Sequence, residues 1–394
     1  MRTKLFIGLI AMTAGLIFLT TVTASAATKE PIKIGYVADL TSYLSLVGQS
    51  ALKGVDLRFS ETQTVGGRPL QLVVEDDASD PDQALDKTRK LIERDKVSMV
   101  IGSLNAGCVI AMAPYLDKMS VPGIVWSPQA DQIATLSQSY FLATGLLRQF
   151  SYAAGAYAAE QGYKTAVTVG MDFVAGYEYI DGFKQAFEQR GGKVIQQRWV
   201  PMTATEFSPY ILGLQKADVT AIWIVGSAMV PFWKQYGKLR KEPIIDVYSE
   251  LDFPANFQQI ASVAHEVNAT TFDSWIWTDP NKGSKQFADK FKQKYGEFPS
   301  HMGLLGYDSA SIVITALEAT GGDTSYAKLK DALYATKMST PYGPRWFNSD
   351  RIGLSVPRAI KVEKQANEYV PKVVKTYNMI SKVEGKKIVV EFAK

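Results

Sequence analysis

The chain has 394 residues, which is more than one typical domain holds, so we expect two lobes, each with its own core. Apolar residues make up 46% and charged residues 21% of the sequence, as in ordinary soluble globular proteins. The formal net charge of +4 is far too small to indicate a nucleic-acid or polyanion partner.

The first 26 residues have the three parts of a secretory signal peptide. Arg2 and Lys4 form a positive start, residues 5–22 are almost entirely apolar, and residues 24–26 read Ala-Ser-Ala, a small-x-small cleavage site. An uncleaved membrane anchor is the alternative, because about 20 apolar residues span a bilayer. The cleavage site favours a signal peptide cut after Ala26 and a periplasmic protein. Since no cysteine lies near this site, we expect no lipid anchor.

Beyond this leader, short apolar runs rich in β-branched residues alternate with amphipathic stretches at helical spacing. The strand predictions, in chain order, are Lys33–Ala38, Leu70–Glu75, Val97–Gly102, Gly123–Ser127, Thr165–Gly170, Lys193–Trp199, Ala221–Gly226 and Ile244–Ser249. The helix predictions are Gly48–Phe59, Asp80–Arg94, Met112–Met119, Ser151–Gln161, Tyr177–Arg190, Met229–Arg240, Gly283–Tyr295, Tyr307–Thr320 and Tyr326–Ala335. Continuously apolar strands that alternate with helices indicate parallel sheets covered on both faces.

The alternation occurs as two successive series, with a joint at residues 145–150. The chain ends in a predicted β-hairpin of Arg358–Val362 and Lys372–Tyr377. We therefore predict an α/β fold of two Rossmann-like lobes with parallel sheets. A chain that crosses between two such lobes forms a cleft at the carboxyl ends of the strands, where open α/β sheets bind ligands.

Five segments, in order, resemble the branched-chain amino-acid-binding family of periplasmic proteins, the type I, leucine/isoleucine/valine-binding-like fold. They read IKIGYVADLTSYLSLVGQSALKGVDL, VGGRPLQLVVEDDASDPDQA, VSMVIGSLNAG, VPGIVWSPQA and PYGPRWFNSDRIG. The resemblance implies the solute-binding subunit of an ABC importer, which closes its lobes on a small organic ligand and passes it to an inner-membrane permease. We expect a monomer that needs no cofactor or metal and has no nucleic-acid partner.

The resemblance also implies three hinge crossovers between the lobes, near Leu147, Trp277 and Arg358. The expected boundaries are 27–147 with 278–358 for lobe one, and 148–277 with 359–394 for lobe two.

The site residues that the resemblance implies in lobe one follow its strands. They are Tyr43, Asn105, Ala106, Gln129 and Asp131. Backbone N–H groups around Asn105 stand at a predicted helix start, where unsatisfied donors and partial positive charge hold carboxylates. The alternative is that Asn105 only caps a helix.

In lobe two the resemblance implies Ala175, Ser227 and Glu250, and Phe173 joins them because its aromatic ring lies in a predicted loop. Amino-acid binders of the family carry aromatic hydroxyl groups at the positions of Ala175 and Ser227, and this chain has neither. Glu250 stands where an acid binds the ligand's ammonium group, and a solvated loop acid is its alternative.

Lobe one departs from the family in the same way, because Ala106 and Asp131 replace hydroxyl side chains that grip the ligand's α-carboxylate. Alanine enlarges the site, and the aromatic rings of Tyr43 and Phe173 lie in predicted loops. These features favour a ligand bulkier or more apolar than valine, such as an aromatic acid. An amide, a urea-like compound or a polyol is the alternative.

Asp131 has three interpretations. It caps a helix while facing solvent, it is buried and protonated, or it accepts a hydrogen bond from the ligand. Arg148, at the first crossover, either supplies a charge partner for an acidic ligand or faces solvent at the hinge.

Signals for catalysis are weak in this sequence. The two histidines, His265 and His301, have no metal-ligand spacing and no recognisable pairing with Cys108. There is no nucleophile elbow, phosphate loop or dinucleotide fingerprint. We expect no enzyme activity, with a carboxylate-pair hydrolase and a sensory ligand-binding domain as the alternatives.

The complete leader predicts that the exported protein begins at Ala27. N-terminal sequencing of the exported protein checks this, and an intact Met1 on protein recovered from the membrane fraction would contradict it.

Overall fold

Two large β-sheets organise the chain, one built from its first part and the other from its middle and end. The computed structural model describes residues 29–249, 254–385 and 387–393. The predicted signal peptide and Glu250 therefore lie outside the described residues.

The first sheet has six strands in the order β2-β3-β1-β4-β5-β6. They are β1 (Ile32–Ala38), β2 (Thr64–Val65), β3 (Arg68–Asp76), β4 (Met99–Gly102), β5 (Gly123–Val125) and β6 (Tyr140–Leu142). All pairings from β3 to β6 are parallel, and β2 pairs antiparallel with β3. The helices along this part are α1 (Ser45–Glu61), α2 (Pro81–Glu93), α3 (Ala106–Met119) and α4 (Ile133–Leu136). Because β4, β5 and β6 are buried over their whole length, helices must cover both faces of the sheet.

The second sheet repeats this plan. Its parallel strands are β7 (Thr165–Met171), β8 (Lys193–Val200), β9 (Val219–Trp223), β10 (Ile244–Asp246) and β11 (Thr270–Asp273). The helices are α5 (Leu147–Glu160), α6 (Val174–Gln189), α7 (Ser208–Leu212), α8 (Met229–Leu239) and α9 (Pro254–Glu266).

The chain then returns to the first sheet before it completes the second. The returning elements are α10 (Lys282–Tyr295), α11 (His301–Ala319), α12 (Tyr326–Ala335) and the small hairpin of β12 (Lys337–Thr340) and β13 (Gly343–Trp346). Strands β14 (Arg358–Gln365) and β15 (Glu368–Thr376) then add antiparallel to β11, which gives the order β15-β14-β11-β10-β9-β7-β8. A last hairpin, β16 (Met379–Glu384) and β17 (Lys387–Phe392), packs against α5. The predicted fold of two α/β lobes with parallel-dominated sheets is confirmed.

Polar side chains fix the passages between the lobes. The buried Gln149, at the start of α5, accepts a hydrogen bond from the Leu146 N–H (2.7 Å) and donates one to the Met379 carbonyl (3.0 Å). Arg358, where β14 enters the second sheet, donates from Nη2 to the Tyr342 carbonyl (2.8 Å), and its Nε lies 3.6 Å from Asp279 Oδ2. The residue-level lobe boundaries stay predictions.

The main differences from the predicted elements are two helices that begin earlier in the structure than predicted. Helix α3 begins at Ala106 and α11 at His301, six residues before each prediction. Glycines in both first turns are weak helix formers, so the helical signal fades there. The caps compensate, since Asn105 Oδ1 accepts from the Gly107 N–H (2.8 Å).

Helices α1 and α11 approach so closely that glycine is required at their contact. A Cβ atom on Gly54 would lie 1.8 Å from the carbonyl oxygen of Gly303, and one on Gly306 would lie 2.0 Å from that of Ala51. Both obstacles are backbone atoms, so no rotamer change can relieve them. This contact sets the position of the first turns of both helices, which border the cleft between the lobes.

We predict that Gly306→Ala lowers the free energy of unfolding by about 1–3 kcal/mol, because the added methyl group forces the two helices apart. Gly283→Ala is the control, since its Cβ would meet nothing closer than 3.4 Å near the start of α10. Urea unfolding midpoints measure both changes. Equal midpoints for the wild type and Gly306→Ala would show that the helices are not packed this closely.

Candidate functional site

A cavity of about 300 Å³ lies between the lobes, at the carboxyl ends of the strands of both sheets. This volume suits a small organic molecule. Among its described lining residues there is no aspartate, glutamate, lysine, arginine or histidine. The polar groups of this site are therefore hydroxyls, side-chain amides, the indole N–H and the backbone.

The lobe-one wall is polar and tightly hydrogen-bonded. Asn105 caps α3, and its Nδ2 donates to Tyr43 Oη at 3.3 Å. Gln129 is 1% exposed, and its Nε2 donates to the Ser127 hydroxyl (2.8 Å) and to the Leu104 carbonyl (3.2 Å). These contacts hold the loops after β1, β4 and β5 in one arrangement.

The lobe-two wall is a continuous aromatic surface. The Trp223 ring lies 5.4 Å from that of Phe173 and 4.7 Å from that of Tyr179, between ring centroids. Tyr179 in turn stacks on Tyr248, with 5.4 Å between centroids and 13° between planes. Such contacts fix ring positions, so the wall presents a preformed apolar face to a ligand.

The structure brings most of the predicted site residues together. Those that line the cavity are Tyr43, Asn105, Ala106, Gln129, Phe173 and Ala175. Ser227 is exposed on a single 3₁₀ turn and lies outside the lining, because this turn points its side chain to solvent. The roles of all these residues in binding stay predictions.

Sequence reasoning missed the residues that build the aromatic wall, above all Trp223 and Tyr248. Both lie inside predicted strands, and the structure shows that these strands end sooner, at Trp223 and Asp246. A signal was present, since an aromatic residue at the carboxyl end of a parallel strand faces the edge where ligands bind. Tyr179 carried no such signal, because it lies in the first turn of the predicted helix Tyr177–Arg190 rather than after a strand.

Asp131 forms a contact between the lobes rather than part of the cavity lining. Its Oδ2 accepts from Arg148 Nε (2.8 Å), and its backbone N–H donates to Glu178 Oε2 (3.0 Å) on α6. The side chains of Asp131 and Arg148 are 21% and 18% exposed, so neither faces open solvent as one interpretation held. The guanidinium group of Arg148 is therefore already paired with the carboxylate of Asp131.

The charge state of this contact between the lobes depends on pH, because the pKa values of two of its carboxyl groups are raised. Burial, with a further contribution from the charge of Asp131, raises the pKa of Glu178 to about 8. Burial also raises the pKa of Asp131, although the nearby Arg148 opposes the shift. The charge of Asp181 acts on both carboxyl groups in the same upward direction.

A buried histidine also links the lobes beneath the cavity. His301 at the start of α11 places Nδ1 3.1 Å from Asp273 Oδ2 at the end of β11, and both side chains are inaccessible to solvent. The His301 ring packs edge-on against Tyr248, with 5.3 Å between centroids. His301 does not line the cavity, although its neighbour Met302 does.

Two features are absent from residues 29–249, 254–385 and 387–393. Within these ranges no helix combines the length and apolar character needed to cross a bilayer. The same ranges contain no cluster of three or more side chains suited to hold a metal ion.

Comparison with known proteins gives a consistent result. The family model for periplasmic binding proteins matches residues 31–364. The chain is 25% identical over 352 residues to Leu/Ile/Val-binding protein homolog 6 of Brucella melitensis, covering 85% of this chain and 87% of that protein.

Solved structures resemble the whole described fold. An ABC transporter substrate-binding protein from Sphaerobacter thermophilus has a TM-score of 0.83 and 25% identity, covering 88% of this chain and 97% of that one. A solute-binding protein of an ABC transporter from Rhodopseudomonas palustris BisB5, in complex with 3,4-dihydroxybenzoic acid, has a TM-score of 0.80 and 24% identity over the same shares of the two chains.

The Glu178 contact predicts a pH-dependent stability. Because the pKa of Glu178 is raised on folding, its stabilising effect is complete below its unfolded pKa of about 4.5 and is lost as the pH rises through about 8. Glu178→Gln keeps the acceptor oxygen but cannot ionise, so at pH 9 it should melt at least ~2 °C above the wild type and at pH 5 about equally. Thermal melts at both pH values measure this.

The matched control is Glu318→Gln, at an exposed position near the end of α11. It should leave the difference between the two melting temperatures unchanged. A Glu178→Gln protein with the same pH dependence as the wild type would show that Glu178 ionises freely in the folded state.

Proposed function

The chain belongs to the periplasmic binding protein family, and on this premise we propose that it captures a small aromatic or apolar compound and delivers it to an ABC permease. The observation that carries the proposal is the cavity, whose walls come from both lobes. Lobes joined by a few crossovers move as rigid bodies, so closing them encloses a ligand and excludes water.

The ligand that fits this cavity has a flat or bulky apolar body. The rings of Phe173, Tyr179 and Trp223 form a face on which an aromatic ring stacks. Two related solute-binding proteins from Rhodopseudomonas palustris were solved with 3,4-dihydroxybenzoic acid and with 4-hydroxybenzoate, which supports an aromatic ligand here. A carboxylate or amide head would lie near Ala106, where α3 begins.

An amino acid is the second candidate. The curated relatives named Leu/Ile/Val-binding protein homologs favour it. Against it stands the cavity lining, where the described residues offer no carboxylate for an ammonium group. Glu250, outside the described residues, is the side chain that would have to supply this charge.

The proposal includes export. We propose that residues 1–26 direct the protein to the periplasm and are removed there, and that the mature protein acts as a free monomer without a lipid anchor. A non-enzymatic role agrees with the family to which the chain belongs.

A melting-temperature screen against aromatic acids, aromatic amides, amino acids and polyols tests the ligand class. A ligand at 100 times its Kd stabilises the folded protein by about 2.7 kcal/mol, which shifts the melting temperature visibly. We expect aromatic compounds to give the largest shift. Phe173→Ala should then weaken their binding by about 1–3 kcal/mol in calorimetry, because the ligand loses an aromatic contact.

The control is Tyr177→Ala, which removes an exposed aromatic ring one turn further along α6 and outside the cavity lining. It should leave affinity unchanged. Equal affinity of the wild type and Phe173→Ala, for a ligand found in the screen, would show that the ligand binds elsewhere.

A further inference from the structure

The cavity between the lobes is larger than one aromatic ring requires. Its volume is about 300 Å³, whereas an apolar cavity of about 150 Å³ is already enough to hold a benzene ring. This volume is present although the lobes already touch, where the Asp131 N–H meets Glu178 Oε2 (3.0 Å) and where His301 Nδ1 lies 3.1 Å from Asp273 Oδ2. A single ring stacked on the aromatic wall therefore leaves about half of the cavity unfilled.

The space opposite the aromatic wall is bordered by aliphatic side chains of lobe one. We call this surface the aliphatic patch, and its members are Leu44, Val47, Ile110 and Met302. They lie at or near the starts of α1, α3 and α11, beside the polar loops of the same lobe. Apart from the weakly accepting sulfur of Met302, none of these side chains can form a hydrogen bond. This part of the cavity therefore favours apolar groups.

Backbone contacts hold the helices that carry the patch. A Cβ atom on Gly54 of α1 would lie 1.8 Å from the carbonyl oxygen of Gly303 on α11. At the start of α1, a Cβ atom on Gly48 would lie 1.9 Å from the carbonyl oxygen of Asp39, which follows β1. Because these neighbours are backbone atoms, the first turns of α1 and α11 are fixed, and the patch is not free to move inward and fill the space itself.

We propose, building on the function proposed above, that the ligand is an aromatic compound that carries an aliphatic chain, with its ring on the aromatic wall and its chain on the aliphatic patch. Alkyl-substituted aromatic acids and phenylalkanoic acids belong to this class. Such compounds are larger than the 3,4-dihydroxybenzoic acid and 4-hydroxybenzoate with which two related proteins were solved. Each methylene group that leaves water for the patch adds to the affinity, so the chain sets the preference among aromatic ligands.

Two series of probes measure the contribution of the chain. The 4-alkylbenzoates, from 4-methylbenzoate to 4-butylbenzoate, place the chain beyond the ring. The ω-phenylalkanoates, from phenylacetate to 5-phenylvalerate, place it between the ring and the carboxylate. In calorimetry with the wild type, at least one series should bind about fourfold more tightly for each of the first two added methylene groups, because each is buried against apolar side chains.

Variants then assign this gain to the patch. Ile110→Phe and Leu44→Phe each bring a larger side chain into the space, so the gain with chain length should fall to about onefold. Leu46→Phe is the matched control, because Leu46 is 60% exposed and lies outside the cavity lining. It should retain the gain of the wild type. Each gain is a ratio of affinities within one variant, so general damage to the fold does not alter it.

Three results would overturn the inference. They are affinities that stay level or fall with chain length in both series, a gain that persists in both Ile110→Phe and Leu44→Phe, or a gain that is lost in Leu46→Phe. Aromatic probes that bind without a preference for chain length would leave the proposed function standing. If no aromatic probe binds at all, the proposed function fails and this inference fails with it.

Discussion

A buried glutamine at the hinge holds together the parts of the chain that pass between the lobes. Gln149 receives the Leu146 N–H on Oε1, while its Nε2 reaches the carbonyl groups of Met379 (3.0 Å) and Gly353 (3.4 Å). There is no room beside it, since a Cβ on Gly145 would lie 2.3 Å from Gln149 Oε1. The first crossover, the third crossover and the last hairpin are thereby kept in register, and the strand ends of the two sheets are kept facing each other.

Because the strand ends of the two sheets face each other, the two walls of the cleft come from different lobes and differ in chemistry. Lobe one contributes loops that follow β1, β4 and β5, in which Asn105 and Gln129 bind backbone groups and hold their neighbours still. Lobe two contributes the rings of Phe173, Tyr179 and Trp223, which pack against one another in tilted contacts at the start of α6 and the end of β9. A polar, hydrogen-bonding wall opposite an aromatic one selects molecules with both characters. Neither wall alone encloses a ligand, which is why the site exists only where the lobes meet.

The sequence was sufficient for the fold because central parallel strands are continuously apolar and alternate with amphipathic helices. The sequence did not predict some short strands or the glycine-rich first turns of a helix. Strands β6 and β11 have only three and four residues, too few for a periodic signal, and the glycines of α11 hid its first turns. Loop residues such as Tyr43 and Phe173 were found because they follow strands. Trp223 and Tyr248 were missed, since the end of a strand depends on pairing with its neighbours rather than on its own residues.

The contact between Asp131 and Glu178 joins the lobes through protein groups alone, so it favours closure before any ligand arrives. A binding-competent open form that is only partly populated lowers the apparent affinity in proportion to its population, and about 1.4 kcal/mol of bias changes the ratio of the two forms tenfold. The same contact must break before a bound molecule can leave, so it lengthens residence time as well as slowing entry. Because burial raises the pKa of Glu178 to about 8, a change in its protonation would alter the rates of ligand entry and exit together, while the residues that line the cavity stay the same.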